Sequence, residues 1–270
     1  MVRDRIHFMF ESGKPEIAAF SRELISGFGQ FELDEADMIV SVGGDGMLLQ
    51  AFRRAHNGQS VFGVVPPLSN SRGFWTNRGI VSAEQLARGL ESARGYDVNP
   101  LAIHVHYRSG KTDVLRAFNE AMPSENSGQA MLAELTVSSG GVGGSVIGPL
   151  RLMGDGLIIA TALGSTAINR TYGGSSIDIR NSGIAVAGKG IYEPEDGFKP
   201  IVAADDTRFD VRILSPEKRP VRLQYDGLCI IPQADDPFAR IVIEKDHAHR
   251  VELFLMDDPS HRAFATLKPA

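Results

Sequence analysis

The sequence predicts a two-part fold: an α/β domain with a Rossmann-like parallel sheet, followed by an all-β, sandwich-like domain. Two observations support this prediction. Up to about Pro100, short apolar runs alternate with amphipathic helical stretches, which is the pattern of parallel βαβ units. After Pro100, many short alternating segments are separated by turn residues, which is typical of antiparallel sheets. We therefore expect domains at residues 1–100 and 101–256, followed by a tail at 257–270.

The elements of the first domain follow from hydrophobic periodicity. Strands are predicted at Ile6–Phe10, Met38–Val42 and Val61–Val65, and helices at Glu16–Phe28, Met47–His56 and Ser82–Arg94. Strands of the second domain are predicted at Ala102–Tyr107, Val114–Phe118, Leu132–Ser138, Gly156–Ala160, Arg208–Ile213, Val221–Gln224, Leu228–Ile231, Ala239–Lys245 and Arg250–Met256. The last two are expected to form a hairpin, and Ser138–Gly144 is expected to be a loop.

Composition restricts the function classes. The 270 residues carry a net charge of −5, so no global positive field attracts nucleic acid or an anionic membrane. Cys229 is the single cysteine, which excludes an intrachain disulfide and favours a reducing compartment. The first ten residues lack the apolar core of a signal peptide, and no apolar run is long enough to cross a bilayer. We expect a cytoplasmic protein with a small-molecule ligand.

The segment Met38–Leu49 reads as a buried strand, a glycine-rich turn and a helix start. Gly43, Gly44 and Gly46 let a ligand approach the main chain, and the free amides of the turn and helix form an anion site. Phosphate binding alone needs no carboxylate, so Asp45 indicates Mg²⁺ handling or proton acceptance from a hydroxyl. The alternative, a helix-capping Asp in a plain turn, stays open on this segment alone.

A second glycine cluster at Gly154–Asn169 repeats this arrangement. Asp155 lies in a glycine turn, an apolar strand follows, and a Gly-Ser-Thr turn leads into a short helix. The Ser165 and Thr166 hydroxyls can cap that helix or bind ligand hydroxyls and phosphates. Two such clusters in domains of different type point to one shared cleft. A further Asp, Asp226 in Tyr-Asp-Gly, fits either a hairpin turn or a functional role.

With these motifs in their order, the sequence resembles the NAD kinase family, in its short bacterial form. The matching elements run over residues 38–230: Gly-Gly-Asp-Gly at 43–46, Arg72-Gly73-Phe74 followed by Thr76, Phe118-Asn119-Glu120, Gly154-Asp155-Gly156, Gly164-Ser165-Thr166-Ala167, Gly173-Gly174 and Tyr225-Asp226-Gly227. The resemblance implies the architecture shared by NAD kinases and diacylglycerol kinases, with the tail returning to the N-terminal domain.

The resemblance also implies a reaction and a site. ATP, with Mg²⁺ or another divalent cation, would phosphorylate the 2′-hydroxyl of the adenosine ribose of NAD. Asp45 would accept the proton of that hydroxyl, Gly43, Gly44, Gly46 and Ser165 would bind phosphate, and no protein metal ligand is predicted. The implied NAD-binding residues are Asp45, Gly46, Phe74, Asn119, Glu120, Asp155, Thr166, Ala167, Ile168, Asn169, Arg170 and Thr171. A homodimer or homotetramer is implied as well.

The chain departs from the family pattern at three positions. Leu163 replaces a hydroxyl residue, Ile168 replaces a tyrosine, and Met153 stands where a basic residue is frequent. These changes bear on affinity and dinucleotide preference more than on reaction type. Two alternatives stay open: a dinucleotide sensor without catalysis, and a lipid or sugar kinase on the same scaffold.

Overall fold

The computed structural model describes residues 5–67, 69–71, 73–140, 144–194 and 197–260. These residues divide into two compact units, one reaching Val98 and resuming at Ala248, the other spanning Asn99–His247. The first division falls close to the predicted boundary at residue 100. The second falls before the predicted boundary at residue 256, and residues 261–270 of the predicted tail lie outside the described residues. Across the described ranges, no helix is both long and apolar enough to span a membrane.

The first unit is a five-stranded sheet with three helices. Its strands are β1 (Ile6–Phe10), β2 (Met38–Val42), β3 (Ser60–Val64), β4 (Arg94–Val98) and, from the chain's end, β17 (Val251–Leu255), in the order β1-β2-β3-β17-β4. All neighbours pair in parallel except β17 with β4. The helices are α1 (Pro15–Phe28), α2 (Asp45–Arg54) and α3 (Ala83–Ser92). The predicted parallel α/β domain is thereby confirmed.

Local sequence explains where these helices begin and end. Pro15 opens α1, where its missing N–H costs nothing, and Gly29 ends it with a φ of 80°. Ser82 caps α3 by accepting a hydrogen bond from the Gln85 amide. Buried residues of α1 and α3 join the strands in one core, with Leu24 and Leu86 fully buried.

The expected hairpin between Ala239–Lys245 and Arg250–Met256 is wrong. Strand β17 lies in the sheet of the first unit, parallel to β3 and antiparallel to β4. Its burial explains the placement, because Val251, Leu253 and Leu255 on one face and Phe254 on the other are all buried. A strand covered on both faces suits the interior of a helix-covered sheet better than the edge of a hairpin.

The second unit consists of two six-stranded antiparallel sheets. One has the order β12-β11-β10-β7-β14-β15 and the other β6-β5-β16-β13-β8-β9. The strands are β5 (Leu101–Tyr107), β6 (Thr112–Ala117), β7 (Glu120–Glu125), β8 (Met131–Ser139), β9 (Val146–Gly154), β10 (Gly156–Ala160), β11 (Ile184–Lys189), β12 (Ile201–Ala203), β13 (Thr207–Ile213), β14 (Val221–Tyr225), β15 (Leu228–Ile230) and β16 (Phe238–Lys245). Buried residues from both sheets, including Ile103, Leu157, Phe209 and Leu223, form one core, which makes this unit a β-sandwich.

Hydrophobic periodicity does not predict five of the observed strands: β4, β7, β9, β11 and β12. Strand β7 contains Pro123, and β9 contains Gly148 and Pro149, residues that normally argue against a strand. Strand β11 reads as a run of small residues. Of the predicted loop at Ser138–Gly144, the first two residues belong to β8, Gly140 and Gly144 lie between β8 and β9, and residues 141–143 lie outside the described residues.

Candidate active site

The glycine turn follows β2 at the carboxyl end of the parallel strands. The Gly43 amide donates to the Val64 carbonyl at 2.8 Å, which ties the turn to the end of β3. A Cβ at Gly44 would lie 2.1 Å from Ser71 Oγ, and one at Gly43 would lie 2.8 Å from the Met47 Cβ. Glycine is therefore required at both positions by close packing. Gly46 is exposed and has open space around it, so packing alone does not explain its identity.

Asp45 is the first residue of α2 and is held by a neighbouring loop. Its carboxylate oxygens accept hydrogen bonds from two consecutive amides, Phe74 N at 2.6 Å and Trp75 N at 2.8 Å. The Phe74 and Trp75 rings meet edge to face at 5.2 Å, which packs the same loop. A carboxylate has about four acceptor positions, so Asp45, which is partly exposed, retains capacity for a ligand hydroxyl. Helix capping, the alternative for Asp45, is not what this side chain does.

A cavity of about 1000 Å³ lies within the first unit beside this turn. Its lining contains the main chain of Gly43, Gly44 and Gly46, while Asp45 itself lies outside the lining. Apolar side chains of α1, including Ile17 and Phe20, form another wall. Charged lining residues are Glu11, Lys14, Glu16 and Glu23, and Lys14 pairs with Glu11 at 2.7 Å. The turn amides and the start of α2 thus border a space large enough for a small ligand. Arg72, part of a family motif, lies outside the described residues.

In the second unit, the Asn119–Glu120 pair is held by Asp226. The Asp226 carboxylate accepts hydrogen bonds from Phe118 N at 2.8 Å and Asn119 N at 2.7 Å. Asp226 and Gly227 form the two-residue turn between β14 and β15, with φ values of 47° and 74°. Positive φ at both positions matches a type I′ hairpin turn. Asp226 is thus both a turn residue and the anchor of the predicted binding pair.

Glu120, the first residue of β7, has an unusual environment. Burial, and to a smaller extent the nearby negative charge of Asp226, together raise the pKa of its carboxyl group to about 7. Its buried Oε2 has no hydrogen-bond partner within the described ranges. A buried polar atom without a partner is costly, so this oxygen is a candidate for contact with a ligand hydroxyl.

The segment after β10 packs against the same pair. Thr161 donates its amide to the Asn119 carbonyl at 2.9 Å and its hydroxyl to the Phe118 carbonyl at 2.6 Å. Gly164, in the 3₁₀ turn Gly164–Thr166, leaves no room for a side chain, since a Cβ would lie 2.1 Å from the Asn119 carbonyl oxygen. The structure therefore brings Asn119, Glu120 and the Gly164 turn together.

Two residues of this segment that are predicted to contact the ligands, Ser165 and Asn169, are fully buried. The Ser165 hydroxyl donates to Ala162 O at 2.7 Å and accepts from Ile177 N at 2.8 Å, so its hydrogen bonds are made within the protein. The Asn169 amide nitrogen donates to the carbonyls of Ser165 and Ser175, whereas its Oδ1 has no hydrogen-bond partner among the described residues.

The remaining predicted residues of this segment are more accessible. Ala167 and Thr171 are exposed, and Thr166 and Arg170 are half-buried. The Thr166 hydroxyl donates to the Leu163 carbonyl at 3.2 Å, and the Thr171 hydroxyl to the Ile168 carbonyl at 2.7 Å. Helix α4 (Ile168–Thr171) carries Ile168 and Arg170. Ile168 packs with Tyr172 against the buried cluster of Met122, Ile158 and Ala187, so this departure from the family fills an apolar contact. Leu163 is buried as well.

Asp155 is separated from Asn119 and Glu120 in this unit. It lies in the turn before β10, next to Gly156, whereas Glu120 lies opposite Ala160 at the other end of that strand. Four residues of extended chain separate these ends by about 13 Å. The structure therefore brings Asp155 close to Gly190, not to the Asn119–Glu120 pair.

The first unit thus carries a partly exposed carboxylate in a glycine turn at the carboxyl ends of its parallel strands, and the second unit is a β-sandwich. No family model matches the chain. It is 32% identical over 224 residues to an NAD kinase of Xanthomonas oryzae, covering 83% of each chain, and 30% identical over 259 residues to an NAD kinase of Xanthomonas campestris, covering 95% of this chain and 93% of that one. The chain belongs to the NAD kinase family.

Solved structures show the same fold. A yeast NADH kinase complexed with NADH aligns with a TM-score of 0.79 at 16% identity, covering 97% of this chain and 86% of that one. An NAD kinase from Archaeoglobus fulgidus in complex with ATP aligns with a TM-score of 0.71 at 20% identity, covering 97% and 98%. These alignments confirm the predicted NAD kinase architecture.

Proposed function

We infer that this protein is an NAD kinase, which transfers the γ-phosphate of ATP to the 2′-hydroxyl of the adenosine ribose of NAD and releases NADP and ADP. Membership of the family supports the reaction class. The observation that carries the assignment in this chain is Asp45, whose carboxylate is fixed by the Phe74 and Trp75 amides while remaining partly exposed.

The proposed role of Asp45 is general base. Its carboxylate accepts the proton as the ribose 2′-oxygen forms a bond to the γ-phosphorus, and the bond between that phosphorus and the β,γ-bridging oxygen breaks to release ADP. Phosphoryl transfer depends mainly on alignment, because its transition state is loose. Two amide donors fix the carboxylate in one orientation, which limits the freedom that has to be lost when the hydroxyl binds.

The donor phosphates are assigned to the glycine turn. Amides of Gly44 and Gly46, at the start of α2, carry partial positive charge and lie along the cavity beside the turn. The exposed position of Gly46 supports the prediction that a ligand approaches the main chain there. ATP is the donor that we propose, with Phe74 providing an apolar face next to Asp45.

Dinucleotide binding is assigned to the second unit. We propose that Asn119 and Glu120 bind hydroxyl and base edges of NAD, with Thr166 and Ala167, and that Arg170 and Thr171 of α4 lie within reach of the ligand. The unpartnered Glu120 Oε2 supports a hydroxyl contact. Asn169 stays in the proposed set, because its buried Oδ1 has no hydrogen-bond partner among the described residues. Ser165 is left out of the set, because its hydroxyl is fully buried and engaged in internal hydrogen bonds.

Mg²⁺ is expected to accompany ATP. Among the described residues, no group of three or more His, Cys, Asp or Glu side chains forms a metal cage. We propose that phosphate oxygens and water supply most ligands of the cation, and that Asp45 is the carboxylate of the glycine turn that could contact it. When bound, the cation would neutralise charge on the phosphates.

Self-association is proposed through the edge strand β9. Val146 and Ile147 are 67% and 57% exposed on this edge, and an unpaired apolar edge favours pairing with another copy. Sedimentation of the wild-type protein and of Ile147→Lys tests this: a homodimer or homotetramer that dissociates in the variant is expected, and a monomeric wild type would contradict the proposal.

The assay for the function is NADP formation by purified protein supplied with NAD, ATP and Mg²⁺. Turnover is expected with ATP. The same assay with polyphosphate in place of ATP shows which phosphoryl donors the protein accepts. NAD binding by calorimetry without turnover with either donor would favour the sensor. Absence of both binding and turnover, with phosphorylation of diacylglycerol or a sugar phosphate, would favour a kinase for those substrates.

A further inference from the structure

We propose that Asp226 is a positioning residue for dinucleotide binding: from its hairpin turn it fixes the main chain of Asn119, so that Asn119 and Glu120 present their side chains in one arrangement. This inference rests on the proposed function, in which Asn119 and Glu120 bind NAD. It gives the Tyr-Asp-Gly turn a role beyond joining β14 to β15.

The hydrogen bonds of Asp226 span two elements of the second unit. Both carboxylate oxygens are used, one by Phe118 N at 2.8 Å and one by Asn119 N at 2.7 Å. These amides lie just before β7, where the chain leaves β6, and β7 pairs with β14 through Ala121 and Tyr225. Because Asp226 is only 3% exposed, water does not compete for these bonds. A plain I′ turn would accept Asn or Gly here, whereas a two-amide acceptor requires a carboxylate.

The backbone carbonyl of Asn119 is held by other residues than its backbone N–H. Thr161 N donates to the Asn119 carbonyl at 2.9 Å, and the packing of Gly164 against that carbonyl excludes any larger residue. The Asn119 backbone is thus held at its N–H by Asp226 and at its C=O by Thr161. Its side chain makes no hydrogen bond to the described part of the protein and is half-buried. A rigid main chain with an uncommitted amide side chain is the arrangement expected of a preorganised ligand contact.

Asp226 also acts on Glu120 through its charge. Apart from desolvation, the Asp226 carboxylate is the cause that raises the pKa of Glu120. The strands that flank Glu120 add no opposing charge nearby: β10 places Ala160 opposite it, and β14 ends at Tyr225 next to the Asp226 turn. A ribose hydroxyl donates to an ionised Glu120, so binding improves as this group loses its proton. Asp226 therefore adds to the effect of burial on the pH range in which Glu120 is ionised.

The test is Asp226→Asn, which keeps the shape and tolerates positive φ but accepts from one amide instead of two. We expect KM for NAD to rise about tenfold, as for loss of one charged hydrogen bond, with kcat at saturating NAD changed less than about threefold. The limb of kcat/KM that rises with pH should move to lower pH, because Glu120 loses a like charge. The control is Asp236→Asn, whose carboxylate accepts from Ser109 N and Ser109 Oγ in an exposed loop of the same unit. It should leave KM and the pH limb unchanged.

A merely structural role predicts a different result: lower folded fraction with KM and the pH limb unmoved. That result, or equal effects of Asp226→Asn and Asp236→Asn, would overturn the proposal. If the Asn variant does not fold, NMR of the wild-type protein decides. The amide resonances of Phe118 and Asn119 should lie downfield and shift between pH 5 and pH 8 with the ionisation of the Glu120–Asp226 pair; amides that do not respond would refute it. If the wild-type protein forms no NADP, the proposed function is refuted. The NMR experiment still tests the positioning of Asn119 by Asp226, because it does not depend on turnover.

Discussion

Asp45 in the α/β unit and Asp226 in the β-sandwich unit make the same hydrogen-bond arrangement. Each carboxylate accepts from two consecutive backbone amides, Phe74 and Trp75 for the first, Phe118 and Asn119 for the second. Asp226 follows directly after the end of β14, whereas Asp45 lies three residues after the end of β2. The two differ in exposure, because Asp45 is partly exposed beside glycines while Asp226 is 3% exposed in a hairpin.

The comparison shows that hydrogen bonding does not by itself separate a reactive carboxylate from a structural one. Both pairs of bonds fix a side chain, but only a carboxylate with accessible lone pairs can accept a proton from a substrate. The Asp45 carboxylate is partly exposed and the space beside Gly46 is open, so a substrate can reach it. Asp226 is buried, so its carboxylate binds backbone amides of the protein and is not accessible to a substrate.

The largest expected effect is loss of turnover in Asp45→Asn. The amide side chain keeps the shape but removes the base, so NADP formation should fall by about 10²–10⁴-fold. Asp97→Asn, which alters an exposed carboxylate paired with Arg250 in the same unit, should stay close to wild type. Turnover in Asp45→Asn within tenfold of wild type would remove Asp45 from the role of base.

The next effect concerns stability and separates the two carboxylates directly. Asp226→Ala leaves two backbone amides without an acceptor in a buried site, which should cost about 3 kcal/mol of unfolding free energy. Asp45→Ala should cost less, because water reaches the partly exposed turn. Urea denaturation of both variants gives the two values, and a larger loss for Asp45→Ala would contradict this account of burial.

Two glycine substitutions sharpen the description of the turn. Gly44→Ala forces a Cβ against Ser71 and should destabilise the protein by about 2 kcal/mol. Gly46→Ala meets open space within α2 and should stabilise the protein by about 0.5–1 kcal/mol through helix propensity. It should nevertheless raise KM for ATP if phosphate approaches there. Thermal melting and steady-state kinetics separate the outcomes, and unchanged kinetics in Gly46→Ala would move the donor away from this glycine.

The smallest effect is the pH dependence of stability from Glu120. Its folded pKa, about 7, lies above the ordinary value of 4.5, so the unfolded chain loses this proton first as pH rises. Unfolding free energy should therefore decrease between about pH 4.5 and pH 7, by at most about 1.4 kcal/mol per pH unit for one proton. Glu120→Gln should abolish this slope. The same slope in the variant would assign the proton to another group.

Sequence reasoning recovered the parts of the fold that periodicity encodes. The helix positions and the parallel strands β1, β2 and β3 follow from apolar spacing, and the glycine turn with Asp45 follows from residue type. Strand β17 was misplaced because an alternating strand reads the same whether it pairs with a sequence neighbour or with β3, far away in sequence. Strand β7 was missed because Pro123 and its polar ends hide a strand that is buried by its neighbours.

The candidate site also contains residues that the sequence predicts and residues whose role it does not reveal. Asn119 and Glu120 were predicted through the order of family motifs. Asp226 could not be assigned to a hairpin turn or to a functional role from the sequence, since its hydrogen-bond partners lie more than 100 residues away. Ser165 was predicted to bind phosphate, because a hydroxyl group can bind a phosphate or a backbone carbonyl equally well. Burial, which no local pattern supplies, decides between these uses.

The most direct test of the contrast is a side-by-side measurement of kcat at saturating NAD and ATP for Asp45→Asn and Asp226→Asn, each at the same folded fraction. The account predicts that Asp45→Asn loses at least about a hundredfold in kcat. Asp226→Asn should keep kcat within about threefold of wild type, with a higher KM for NAD. An Asp226→Asn variant that loses as much kcat as Asp45→Asn would contradict the distinction between the accessible and the buried carboxylate.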